Sequence, residues 1–135
     1  MKNITRYVED ELYHTTNENG DTIPIDMRPK GIKKGLSPME LVLAGVAGCA
    51  VVDIVLILKK KRKTVIDITV ETEGWRNETP PKKFNRIHST YTLISPDTTE
   101  EELAKAAKLT LDKYCSVASS LNVAIEFSVE VKPEK

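Results

Sequence analysis

Ser37-Pro-Met-Glu-Leu41-Val-Leu-Ala-Gly-Val-Ala-Gly-Cys49-Ala-Val-Val-Asp53-Ile-Val-Leu-Ile-Leu58 is the stretch that decides the fold. Its first four residues are a helix start. Ser37 suits the N-cap, Pro38 the first helical position, and Glu40 the third, where its carboxylate completes a capping box. The segment that follows is apolar nearly all round, which predicts a helix buried on most sides. It is long enough to be tested as a membrane span. Asp53 argues against that: a carboxylate in such a span costs on the order of a few kcal/mol, and no second apolar helix is available to supply a partner. A core helix accounts for the same residues. The cationic run Lys59-Lys-Lys-Arg-Lys63 then complements the negative end of the helix dipole.

Downstream, Val65–Trp75 alternates with a period of two, as a half-buried strand does. Phe84–Ile94 reads as the next strand, after the loop Thr79-Pro-Pro-Lys-Lys83. Ser95-Pro-Asp-Thr-Thr-Glu opens a second helix running through Tyr114, with Leu103, Ala106, Ala107, Leu111 and Tyr114 on its apolar face. A short helix after Cys115 and a final alternating strand over Val123–Val131 complete the chain. Upstream, the first 27 residues read as two strands around the turn Asn17-Glu-Asn-Gly20-Asp21. Pro24 marks the second as an edge strand, and residues 27–36 read as a loop.

The order β-β-α-β-β-α-α-β predicts an α+β fold with one sheet face packed on helices. One small sheet cannot cover a helix that is apolar on every side, so a partner subunit is expected, hence a homodimer. The 135 residues have the length of a single domain over residues 1–135. Twenty basic residues balance 20 acidic ones, so no net field draws the chain to nucleic acid or to an anionic membrane. The N-terminus has no signal-peptide pattern, and a reducing cytoplasm is the expected compartment. There, the two cysteines are expected to be free, metal-bound or catalytic rather than a static disulfide. Together with His14 and His88 they lack metal-ligand spacing, so no metal is expected.

Cys49 and Cys115 stand 66 positions apart. They are either packing residues or a redox pair. Cys49 lies mid-helix, where apolar burial opposes thiolate formation. Asp53 lies one turn on, on the same face, and an ionisable group there needs a cation or a task. Cys115 follows one helix and opens the next, where free backbone N–H groups favour a thiolate. Glu40 is assigned to capping. His88 is read as solvent-facing or satisfied, and Trp75 and Tyr114 as core or interface aromatics.

Gly35-Leu-Ser-Pro38-Met-Glu-Leu41, Ala44-Gly-Val-Ala-Gly-Cys49, Pro80-Pro-Lys-Lys-Phe84-Asn-Arg-Ile-His88 and Tyr114-Cys-Ser-Val-Ala-Ser-Ser-Leu121 together resemble the OsmC/Ohr family, in the family's order and over nearly the whole chain. The resemblance implies an intertwined homodimer, with two long central helices enclosed by antiparallel sheets. It implies thiol-dependent reduction of organic hydroperoxides in oxidative stress defence. Cys49 matches the peroxidatic cysteine and Cys115 the resolving one. An external dithiol, lipoyl-type in the best-known members, would be the reductant, and no metal or bound organic cofactor is implied. Family members carry a Glu just after the helix-opening Pro and an activating Arg from the N-terminal strands. Here Met39 follows Pro38 and the carboxylate is Glu40; Arg28 is the nearest candidate for the Arg, with Arg6 as a second. A different class stays open: a dimeric binding protein or redox sensor for a hydrophobic small molecule on the same scaffold.

Overall fold

The computed structural model describes residues 1–135. The chain forms two units, Met1–Val42 and Leu43–Lys135.

The first unit is a three-stranded antiparallel sheet in the order β1 (Asn3–Glu9), β2 (Leu12–Asn17), β3 (Thr22–Asp26). The expected count of two strands is corrected to three. The polar stretch through Tyr13 folds back on itself at Asp10-Glu11, where Glu11 takes a positive φ of 67°. No glycine marks that turn, so its sequence signal is weak. Pro24 lies on the edge strand, as its missing N–H requires. The loop after β3 is held by backbone as well as side chain: Asp26 N–H donates to the Leu36 carbonyl over 3.0 Å. Gly35 permits that approach, because a Cβ there would lie 2.9 Å from Pro24 Cγ.

Helix α1 (Pro38–Lys60) begins in the first unit and continues into the second. Its start is the expected capping box. Ser37 N–H donates to Glu40 Oε1 over 2.9 Å, and Glu40 N–H donates to Ser37 Oγ over 3.3 Å. In the second unit, β4 (Asp67–Arg76), β5 (Phe84–Ile94) and β6 (Ile125–Lys132) form a sheet in that order. β4 and β5 pair antiparallel, but β5 and β6 pair parallel. The expectation of antiparallel sheets is therefore corrected: this sheet is mixed. The reason is the crossover. α2 (Glu100–Leu109) and α3 (Ser116–Ser120) occupy the chain between β5 and β6, so β6 returns in the direction of β5.

The core lies between this sheet and one line of α1. Val46, Ala50, Ile54 and Leu58 recur every four residues and are fully buried. Ala50, Ile54 and Leu58 cluster with Tyr91 and Leu93 of β5 and with Leu103, Ala106 and Ala107 of α2. Thr99 caps α2 through a second capping box with Glu102. The opposite side of α1 is open within the chain: Val52 is 57% exposed and Leu56 53%. Burial on most sides is thus not achieved by one copy of the chain. By length and composition alone α1 would also pass for a membrane-crossing helix.

Candidate functional site

Cys49 precedes Ala50 on α1, so it sits at the edge of the buried line. It is half-buried and packs against the core cluster. Cys115 is delivered from the other side by a local irregularity. The second helix does not run regularly to Tyr114. Its last five residues, Thr110–Tyr114, form a π-helical turn, and Cys115 N–H closes it by donating to the Thr110 carbonyl over 2.8 Å. The wider turn shifts the phase of the apolar face. Leu103, Ala106 and Ala107 are buried and Leu111 packs against the core, whereas Tyr114 is 56% exposed. Of its two expected places, core or interface, the core is corrected accordingly.

Cys115 is fully buried and serves as the N-cap of α3, with Ala118 N–H donating to its Sγ over 3.4 Å. Burial pushes the Cys115 thiol up, and contact with the Cys49 thiol adds to this, against the opposing pull of the Ala118 N–H. The expectation of a stabilised thiolate at Cys115 is therefore corrected. The helix it caps has five residues, too short a run of aligned dipoles to offset full desolvation. Both cysteines are free, and both pack in the same buried cluster, Cys115 within it and Cys49 against it. Residues 66 positions apart thus share one buried corner.

Asp53 is half-buried one turn beyond Cys49. It lines a cleft of about 490 Å³ with Leu56, Ile57, Lys60, Lys61, Leu109 and Tyr114. The cations it shares that cleft with are Lys60 and Lys61. Neither cysteine is among the residues that line it.

Arg28 and Glu40 belong to the first unit and have partners there. Arg28 makes a bidentate pair with the fully buried Asp26, Nε to Oδ1 at 3.0 Å and Nη2 to Oδ2 at 2.8 Å. Its Nη1 also pairs with Glu9 at 2.7 Å. The Arg28 guanidinium holds the Asp26 carboxyl far below the usual range, and the Lys34 N–H assists. Glu40 pairs with Lys33 at 3.0 Å, and its carboxyl is pulled down to about 2, by the Ser37 N–H first and by Lys33 next. His88 is satisfied on the outer face of the sheet, its Nε2 3.0 Å from Ser128 Oγ. No three His, Cys, Asp or Glu side chains group closely enough to hold a metal ion.

Three residues of this corner were not legible as site residues: Ser89, Tyr91 and Thr110. All are fully buried, and their hydroxyl oxygens have no hydrogen-bond partner within the protein. The alternation of β5 does place Ser89 and Tyr91 on the inward face with Ile87 and Leu93. An inward serine was the available signal.

The OsmC-like protein family model matches residues 31–130. The chain belongs to the OsmC family. Among its relatives is protein YhfA of Escherichia coli K12, 37% identical over 95 residues that cover 70% of this chain and 71% of YhfA. A hydroperoxide reductase of Mycoplasma genitalium is 24% identical over 131 residues, covering 95% and 92% of the two chains. Among solved structures, a hypothetical protein from Aquifex aeolicus VF5 superimposes with a TM-score of 0.80 at 32% identity, covering 97% of this chain and 96% of the other. The two sheets and the helices are thus those of the OsmC-like fold, and the family resemblance read from the sequence is borne out.

Proposed function

We propose that the chain acts as one OsmC-type domain, a homodimeric thiol peroxidase that reduces organic hydroperoxides in the cytoplasm. The observation that carries this reading is that two free cysteines from distant parts of the sequence share one buried cluster. Their environments divide the roles. Cys49 is the more accessible thiol and Cys115 is sealed and harder to ionise, so Cys49 meets the peroxide and Cys115 resolves. The Cys49 thiolate attacks one oxygen of the O–O bond, giving a sulfenic acid and releasing the alcohol once the alkoxide takes a proton. Cys115 sulfur then attacks the sulfenic sulfur; the S–O bond breaks and water leaves with the Cys115 proton. An external dithiol, lipoyl-type or similar, reduces the disulfide by two exchange steps and is itself oxidised. The family relationship and the named hydroperoxide reductase relative support the reaction class. The exposed apolar side of α1, at Val52 and Leu56, supports the dimer.

The test is a thiol count before and after one equivalent of cumene hydroperoxide, in wild type and in Cys49→Ser. Rapid loss of both thiols in wild type, with a Cys49–Cys115 peptide by mass spectrometry and no loss in the variant, is expected. Survival of both thiols would end the peroxidase reading. The cleft beside Asp53 favours a second reading, a binding protein or redox sensor for a hydrophobic small molecule. That reading expects ligand binding to persist unchanged in Cys49→Ser.

A further inference from the structure

The inward face of the β4–β5–β6 sheet is apolar except at one place. The alternation of β5 turns Ile87, Ser89, Tyr91 and Leu93 inward, and residues directly opposite in an antiparallel pair point to the same face. The register aligns these positions in rows, from Gly74–Ile87–Ile125 at one end to Ile68–Leu93–Val131 at the other. Within those rows only Thr72, Ser89 and Tyr91 carry polar side-chain atoms. They adjoin: Thr72 stands opposite Ser89, and Tyr91 follows Ser89 two residues along β5. The Tyr91 ring packs with Phe127, 6.4 Å between centroids, and Phe127 is the residue of β6 aligned with Ser89. Burial pushes the Tyr91 phenol up to about 12, and the neighbouring Ser89 hydroxyl pulls against it. Yet all three hydroxyl oxygens are sealed, and none completes a hydrogen bond with another group of the protein. Adjoining hydroxyls that fall short of one another are the arrangement a bridging water spans. The fourth such hydroxyl, Thr110, lies on the helical side and outside these rows.

We propose that Thr72, Ser89 and Tyr91 form an internal hydration site, in which one water molecule bridges their three hydroxyl oxygens. Three partners are the usual number for a buried water. Each hydroxyl can donate or accept, so the water finds a complementary role at all three. The ligand is neutral: no charged side chain faces inward in these rows, and an ion sealed there would lack a counter-charge. Small side chains, Ala50, Ala106 and Ala107, share the buried cluster with Tyr91. The site removes the penalty of burying three unpaired hydroxyls in one small core. It also accounts for a serine and a threonine on a face that is otherwise apolar. It does not depend on the thiol chemistry proposed above.

The deciding experiment is a crystal structure of the full, unmodified chain at a resolution that shows internal waters. A density peak at about 2.6–3.2 Å from all three oxygens is expected. Hydroxyls that bond one another directly, or that pack with no peak between them, overturn the proposal. A melting series tests the same site in solution, with Ser89→Ala, Tyr91→Phe and the double variant. Each single change removes one partner of the shared water. It is expected to lower the melting temperature by about 3–5 °C, the shift for one net hydrogen bond in a domain of this length. The double variant is expected to lose less than the sum, because both changes act on one water. Single variants that melt at or above the wild type overturn the proposal, since removing an oxygen that truly has no partner costs nothing. Strictly additive losses overturn it as well.

Discussion

Oxidising the Cys49–Cys115 pair is expected to raise the stability of the protein by an amount the chain topology sets. The bond would close a loop running through the rest of α1, all of β4 and β5, and α2 with its π turn. The two cysteines are 66 positions apart. Loop-closure entropy for a crosslink of that span removes about 4 kcal/mol of freedom from the unfolded chain. For a domain of this length, that corresponds to a rise in melting temperature of roughly 10–20 °C. Both cysteines already pack in one buried cluster of the folded state. The assay is differential scanning fluorimetry of hydroperoxide-treated and dithiothreitol-treated protein, with Cys115→Ser as the control that cannot close the loop. Mass spectrometry must show the crosslinked peptide in the treated sample. A crosslinked sample that melts within two degrees of the reduced one would refute the loop-entropy argument. A sample in which no crosslink forms would refute the proximity itself.

Other expectations follow from single residues. At mildly alkaline pH, iodoacetamide should label Cys49 at least about tenfold faster than Cys115, since Cys115 is sealed and its thiol is pushed up by burial; equal labelling by peptide mapping would contradict the assigned roles. Glu40→Ala should narrow its stability deficit as pH falls. The Glu40 carboxyl drops from 4.5 to about 2 on folding, so its contribution is fully present above about 4.5 and is lost as pH falls toward 2; a deficit in urea midpoint that stays constant across that window would refute it. Val52→Glu with Leu56→Glu should convert a dimeric wild type to a folded monomer in sedimentation velocity, since both side chains are already solvent-exposed in one copy; a monomeric wild type, or a variant that stays dimeric, would remove the basis for the partner-covered α1.

Much of the fold was readable because its signals are local. The capping box at Ser37 and Glu40 depends on residues three positions apart, and it forms where the spacing places it. β5 runs over Phe84–Ile94 as its alternation indicates. The first unit was less legible because the β1–β2 turn uses Asp10 and Glu11, without a glycine to mark it. The second helix was misread over its last turn because a π turn has no composition of its own; it is imposed by the way Cys115 closes on Thr110.

By itself, the sequence determined the α+β class, the long apolar helix with its cap, the presence of two cysteines and the family to which the chain belongs. All of these are written in residue types and short spacings. Tertiary structure alone decided that the two cysteines share one buried cluster, that β6 runs parallel to β5, and that Arg28 is committed to Asp26 and Glu9. It also decided that burial outweighs the helix N-terminus at Cys115. Contact and desolvation depend on what packs around a side chain, and its sequence neighbours carry no record of that.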